Sequence, residues 1–567
     1  MRWTLKPKPP SEKVSKLATA LSVDKIVASL LVQRGIETYD DASLFFRPRL
    51  EDLHDPFLMQ DMQLAVNRIE KAIENNENIL VYGDYDVDGT TAVSLVSSYL
   101  RTYYNNIATY IPDRYEEGYG ISYQSIDFAE DNVFSLIIAL DCGIKAIDKV
   151  EYASKKGIDF IICDHHRPGD KLPKAIAVLD PKREDCAYPY EELCGCGVGF
   201  KLVQALASHR NQTIADLKIY LDLVATAIAA DIVPITGENR VLTYHGLHQI
   251  NTEPRAGIKA IINQLKKDIL TITDVVFIIA PRINAAGRMK HGNYAVELLT
   301  EHEIDAANTK AAEIEVFNNN RRDLDKIITQ EGLQQIVENN EEQNFTTVVY
   351  QKDWHKGVIG IVASRLTETY YRPTLVFTKS GDKFAASARS VRDFDVYNAL
   401  DACSEHIEQF GGHKYAAGLT LLEENYESFK QKFEEVVKKT IPEELRSPEI
   451  KIDQEIALSE ITPKFYRILK QFGPFGPKNM KPVFVIKKVK DTGYSKNVGA
   501  DESHLKLNVV SENGIKFNGI GFNLGSYYDA ISKGTLFDIV CTIEENHWNG
   551  NTSLQLSVKD IKIETPF

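Results

Sequence analysis

Three short apolar runs, each meeting an aspartate at its end, constrain the architecture of this chain more than any other feature. Asn78 to Gly83 (NILVYG), Ser135 to Asp141 (SLIIALD) and Asp159 to Cys163 (DFIIC) have the length of strands, and they reach acidic residues at Asp84, Asp141 and Asp164. Amphipathic helical stretches, Thr90 to Thr102 and Ile144 to Lys156, lie between them. Apolar runs alternating with helices predict a mostly parallel sheet covered on both faces. Ligands of such sheets bind in the crevice beyond the carboxyl ends of the strands. Carboxylates far apart in the chain are therefore expected to converge there.

The rest of the 567 residues divides by pattern, as a chain too long for one core should. Glu301 to about Asn340 is polar and helical in period, and reads as a long solvated connector. A second α/β region starts near Phe345, with strands TTVVY, TLVFTK and KFAASARS around a helix from Val358 to Tyr370. A helix from Val396 follows, and a charged helix from Glu424 to Lys439 closes the region. Beyond Pro448, short alternating strands with Gly and Asn turns (HLKLNVV, IKFNGIGF, FDIVCTI, TSLQLSV) predict a small all-β barrel.

The strongest local signal is Gly83-Asp84-Tyr85-Asp86-Val87-Asp88-Gly89, at the end of the first strand. Carboxylates at every second residue repel one another and raise each other's pKa, and a divalent cation removes that repulsion. A calcium loop is the wrong reading, because a strand precedes the knot and no Glu stands at the twelfth position. Helix capping accounts for one aspartate but not three. Asp164-His165-His166 is the second signal. One histidine behind a strand is usually a bystander; two behind an aspartate can ligate Mn²⁺ and polarise phosphate, and both readings stay open on this motif alone. Asp141 in LDCG and Asp231 in AADIVP add carboxylates at loop positions, enough ligands for two cations.

The net charge of −14 counts mildly against nucleic acid, yet a metal site concentrates carboxylates and a groove can be locally basic. Seven cysteines fit reduced thiols better than a disulfide framework. Cys186, Cys194 and Cys196 lack the paired spacing of a zinc site and read as small residues in a turn-rich loop. No apolar run approaches the roughly 20 residues of a membrane span, and MRWTLKPKPPSEK lacks the core of a secretory signal. Cytoplasm is the expected compartment.

In order, GDYDVDG, LDCG, CDHH and AADIVP resemble the motifs of the DHH phosphoesterase superfamily. PDRYEEGYG, PRINAAGRM, WHKGVIGIVASRL, SARS and GGHKYAAGL resemble blocks of the RecJ exonucleases within it, and PFGPKNMKPVF resembles the start of their oligonucleotide-binding barrel. The resemblance implies an N-terminal segment (1–75), a parallel-sheet DHH catalytic domain (76–240), a helical connector region (241–343), a DHH-associated α/β domain (344–442) and an OB-like barrel (450–567). It implies hydrolysis of single-stranded DNA from the 5′ end to 5′-mononucleotides, in DNA repair and recombination, by two Mn²⁺ or Mg²⁺ ions.

Position by position, the resemblance makes Asp86, Asp88, Asp141, His165 and Asp231 metal ligands, with Asp84 in the same knot as a ligand or just behind one. His166 falls to the scissile phosphate and Asp164 to orienting the histidines. Arg114 and Arg288 are expected to contact phosphate, as are Ser387 and Arg389 in the stretch that resembles the family's 5′-phosphate pocket, with Gly411, Gly412 and His413 against the strand. Some relatives carry His where this chain has Tyr82. Trp354 and His355 are left between base stacking and core. A single-strand-binding protein and a helicase are the implied partners of a monomer. The alternatives are a DHH phosphodiesterase of short oligonucleotides or cyclic dinucleotides, and a non-catalytic single-strand-binding factor.

Overall fold

The computed structural model describes residues 1–265, 267–548 and 550–563. The chain begins with β1 (Arg2–Leu5) and two helices, Ser11–Leu21 and Lys25–Val32. A helix at Met62–Glu74 then leads into a five-stranded sheet of β2 (Asn78–Gly83), β3 (Ile107–Tyr110), β4 (Phe134–Leu140), β5 (Asp159–Cys163) and β6 (Ala177–Leu179). All pairings in it are parallel, in the order β3-β2-β4-β5-β6. Side chains alternate between two cores. Ile79, Val81, Leu136, Ile138 and Ile161 face one; Leu80, Tyr82, Ile137, Phe160 and Ile162 face the other. Burial on both faces is why these strands read as unbroken apolar runs. The chain leaves β2 for β3 on one side and returns to β4 on the other. The carboxyl ends of β2 and β4 thus flank the switch point where a doubly wound sheet opens its crevice.

The helix after β2 runs Val87–Leu100, three residues earlier than its apolar period suggests, so Asp88 lies inside its first turn. The connector is one helix, Ile304–Glu338, 35 residues and about 50 Å long at ~1.5 Å per residue. It is not merely solvated. Ala307, Ala311, Ile314 and Phe317 enter the core of the parallel-sheet unit, and Ile328 and Ile336 enter that of the second α/β unit. Apolar positions spaced so thinly along a polar helix are invisible to a periodicity reading.

The second sheet contains β7 (Thr347–Tyr350), β8 (Thr374–Ser380), β9 (Lys383–Arg389), β10 (Gln409–His413) and β11 (Ala416–Leu422), in the order β10-β11-β9-β8-β7. Only β7 and β8 run parallel. GGHKYAAG forms the tight β10–β11 hairpin at the sheet's edge.

Next, β12 (Glu449–Ile452) and β13 (Gln454–Glu455) precede β14 (Phe484–Asp491), β15 (Lys496–Val498), β16 (His504–Val510), β17 (Lys516–Gly521), β18 (Phe537–Trp548) and β19 (Asn551–Ile563). The ladder β14-β18-β19-β17-β16 closes on itself through β14–β16 pairing. Closure makes the barrel and removes the edges of those five strands. The amino-terminal residues belong with it: β1 pairs in parallel with β12, and Leu17, Val27, Leu30 and Leu31 share a core with Phe465, Phe472 and Phe484. Met62, Val66 and Ile69 instead join the parallel-sheet core, so the first 75 residues divide between two bodies.

One buried arginine ties these bodies together. Arg240, on the helix Gly237–Thr252, donates to the carbonyls of Phe45 (2.8 Å), Phe472 and Gly473 (both 2.9 Å). No described helix is long and apolar enough to cross a membrane.

Candidate metal centre

Asp88, Asp141 and Asp231 bring their carboxylates to one histidine, His165, and Asp84 and Asp86 lie in the same knot as Asp88. Asp84 follows β2 and is fully buried. Asp86 caps the helix Val87–Leu100, its Oδ1 accepting the Gly89 N–H at 3.0 Å. A Cβ on Gly89 would lie 2.4 Å from the Asp84 carbonyl oxygen, so only glycine lets the helix start this close to the strand end. Asp88 accepts the Gly195 and Cys196 N–H groups, each at 2.7 Å, at the start of the helix Gly195–His209. Helix amino termini favour such anions. Asp141 follows β4 in the left-handed region (φ +59), and a Cβ on Gly195 would come within 2.5 Å of its carboxylate. Asp231 does not follow a strand; it ends the helix Leu221–Ala230. Cys194 caps the Gly195 helix rather than sitting in a loop, and no cysteine joins a metal-holding group among the described residues.

His165 Nε2 is the point of convergence, 3.2 Å from Asp141 Oδ1, 3.7 Å from Asp231 Oδ2 and 3.8 Å from Asp88 Oδ2. Two groups have ligand atoms all within 4.8 Å of one another: Asp141, His165 and His166; and Asp88, His165 and Asp231. Asp84 and Asp86 stand outside both triads, although Asp86's charge acts on Asp84, Asp88, Asp141 and Asp231.

The electrostatics of this cluster suit a cation. Burial, then mutual repulsion, pushes Asp84 and Asp141 well above the carboxylate range, Asp88 to about 6 and Asp231 to about 8. Burial, then the neighbouring His166, holds His165 down to about 3, leaving it neutral. Asp84 Oδ2, Asp141 Oδ1 and both ring nitrogens of His165 are buried without a hydrogen-bond partner. Orphaned oxygen and imidazole donors around one point fit a divalent cation of the Mn²⁺ or Mg²⁺ kind. Asp164 does something else. It accepts the N–H groups of Ile144, His165 and His166 and the His166 ring at Nδ1, 2.8 Å away. Burial opposes these contacts, but they prevail, taking Asp164 down to about 2 and His166 up to about 9. The remaining His166 nitrogen meets the Tyr119 hydroxyl at 3.3 Å.

Beside this acidic basin lies a cluster of arginines. Arg114 stacks 3.9 Å over the Tyr85 ring, and its Nε is buried without a partner. Arg288 donates to the Gly357 carbonyl, and Tyr115 donates to Arg288's own carbonyl at 2.5 Å. Arg389 donates to Ser387 Oγ at 3.0 Å. Burial first, then the charges of Arg114, Arg389 and Arg321, lowers the pKa of Arg288. Asp325, the acid whose charge acts on Arg321, is taken up by Arg365 at 2.7 Å. Among the described residues Arg114, Arg288 and Arg389 form no ion pair; such a cluster calls for an anion, and guanidinium forks suit phosphate.

His413 bridges the clusters electrostatically: burial, Arg389 and His166 all lower its pKa. Gly412 (φ +146) is required by its own hairpin, since a Cβ would lie 2.4 Å from the Ala416 carbonyl; Gly411 faces open space. Trp354 is core, its Nε1 donating to Glu331, and the His355 ring packs edge-on against Tyr115. Sequence reasoning missed Arg321, Tyr119 and the Gly195–Cys196 amide pair. CGCG, a glycine-rich start to a helix, was the one legible signal among them.

Comparison with known proteins gives three family matches: the DHH family, N-terminal domain (78–228), the DHHA1 domain (342–439) and the RecJ OB domain (452–560). The single-stranded-DNA-specific exonuclease RecJ of Bacillus subtilis is 36% identical, over 99% of this chain and 71% of its own length. That of Escherichia coli is 32% identical, over 89% of this chain and 90% of its own. The crystal structure of Thermus thermophilus RecJ in complex with Mn²⁺ superposes with a TM-score of 0.85 at 24% identity, covering 100% of this chain and 80% of that one. A crystal structure of exonuclease RecJ bound to manganese covers 70% of this chain and 99% of its own, at 28% identity and a TM-score of 0.62. With strand-end carboxylates, an associated α/β unit and a closed barrel in the matching order, this chain belongs to the RecJ family of DHH proteins.

Proposed function

We propose that this chain is a metal-dependent exonuclease that hydrolyses single-stranded DNA from its 5′ end and releases 5′-mononucleotides. One observation carries the reading: orphaned carboxylate and imidazole atoms stand beside a cluster of buried arginines, of which Arg114, Arg288 and Arg389 form no ion pair among the described residues. A phosphodiester between divalent cations and guanidinium groups satisfies both at once. Relatives in Bacillus subtilis and Escherichia coli carry the name single-stranded-DNA-specific exonuclease, which supports the same substrate.

In this reading Asp86, Asp88, Asp141, His165 and Asp231, with Asp84, hold two Mn²⁺ or Mg²⁺ ions. Bound there, divalent cations supply Lewis acidity toward phosphate oxygen and water. Asp164 holds the His166 ring at Nδ1 and so aims it, and His166 contacts an oxygen of the scissile phosphate. Arg114, Arg288, Ser387 and Arg389 grip the terminal 5′-phosphate and fix the register of cleavage. The barrel holds the incoming strand by backbone charge and stacking. We further assign the protein to the cytoplasm, as a monomer in DNA repair and recombination, served by a single-strand-binding protein and a helicase.

The test is Mn²⁺-dependent digestion of 5′-labelled single strands. Stepwise release of mononucleotides supports the exonuclease. Preference for two- to four-residue oligomers would instead identify a small-oligonucleotide hydrolase, and retention of DNA without cleavage a binding factor.

A further inference from the structure

Immediately after Asp231, Ile232 lies in the left-handed region, at φ +59. That conformation suits glycine or asparagine after a helix, and a β-branched side chain there is strained. Nothing in the packing asks for isoleucine, because the residue is 66% exposed. Strain and an uncovered aliphatic side chain are both unfavourable, and glycine would end the helix with neither.

Place distinguishes this residue. On one side, the Asp231 carboxylate lies 3.7 Å from His165 Nε2. Three residues on, the Ile235 N–H donates to the Pro477 carbonyl at 2.9 Å, and a Cβ on Gly476 would lie 2.4 Å from Ile235 Cγ1. Ile232 is thus part of a short strip from the metal centre to the loop preceding the barrel. Val133 is the other β-branched residue at positive φ among the described residues, and it is also exposed. It sits just before β4, at the end of the parallel sheet opposite the carboxylates. Strain alone therefore marks no site; strain on this strip does.

We propose that Ile232 is a substrate-binding contact, an apolar platform for the sugar and base of the nucleotide on the 3′ side of the scissile phosphate. The inference rests on the exonuclease reading. A strand passing from barrel to metal centre crosses this strip. A basic side chain here would compete with cations for Asp231, and an acidic one would repel the phosphate. An aliphatic side chain does neither, and its contact tolerates every base. The left-handed backbone gives it a fixed direction.

The test compares the parent chain with Ile232→Gly, Ile232→Val and Val133→Gly. Affinity for a 5′-phosphorylated oligothymidylate is measured with Ca²⁺ replacing Mn²⁺ to prevent turnover, alongside Tm. Both glycine variants should keep or raise Tm, because each relieves strain. Only Ile232→Gly should weaken the oligonucleotide, by about tenfold, with Ile232→Val within about threefold of the parent. Affinity of Ile232→Gly within about twofold of the parent would overturn the proposal and leave Ile232 a mere helix terminator. A parent that binds the strand but does not cleave it in Mn²⁺ defeats the exonuclease reading while the affinities still decide on Ile232. A parent that does not bind defeats both.

Discussion

The acidic basin and the arginine pocket are opposites in charge and alike in predicament. In the basin, burial and repulsion drive carboxylates toward their neutral forms; in the pocket, burial and repulsion act against guanidinium charge. Each holds more charge of one sign than the folded chain balances, at a cost in stability a ligand can offset. They differ in how they are built. The basin comes from strand ends and helix ends of one unit, centred on His165. The pocket draws Arg114 from the parallel-sheet unit, Arg321 from the connector helix and Arg389 from β9. A site made by one core is set when that core folds. A site shared between bodies is only as good as their alignment.

The sharpest way to break this comparison is Asp141→Asn. Hydrolysis should fall by about 10³-fold or more, equivalent to ~4 kcal/mol of transition-state stabilisation. The metal-free protein should lose no stability, since an unpaired buried carboxylate is gone. Parent-like turnover under controlled metal would refute the basin as the reactive centre. Next, Gly195→Ala drives a methyl group into the Asp141 carboxylate, so Mn²⁺ affinity by calorimetry should drop by about 10–100-fold. For the pocket, Arg389→Ala should reduce the preference for 5′-phosphorylated over 5′-hydroxyl strands by about 10–100-fold, the ~1.5–3 kcal/mol of a charged hydrogen bond. Equal losses for both strands would remove Arg389 from the phosphate. The smallest effect is expected for Arg321→Met, about twofold to fivefold in affinity, with the salt slope of binding shallower by at most ~0.7. A loss as large as that of Arg389→Ala would make the connector an equal partner in the grip.

The basin was largely legible in the sequence because its residues sit where two local patterns meet, apolar strand and acidic terminus. β2 and β5 begin and end where their apolar runs do and β4 is displaced from its run by one residue, so Asp84, Asp164 and Asp141 follow from them. Asp231 entered from its motif, yet its position at a helix end had no strand signal to announce it. Arg321 was hidden because charged residues on a polar helix are the ordinary case, and only the fold shows that its charge reaches the buried Arg288. The amide pair holding Asp88 lies 107 residues away in sequence, a separation that no periodicity records. The amino-terminal residues stayed opaque for the same reason, since their apolar faces match a barrel made by the other end of the chain.

That last pairing sets an order of events during synthesis. Trp3 lies opposite Ile450, so β1 and the helices behind it emerge long before their partners exist. At ~5–20 residues per second the ribosome takes roughly 20 to 90 s to close the gap, during which Leu17, Leu30 and Leu31 have no native core to enter. The parallel-sheet unit is complete well before then. β1 and the two helices behind it are thus among the last elements to find their place, and the stretch of the nascent chain on which a chaperone has the longest time to act.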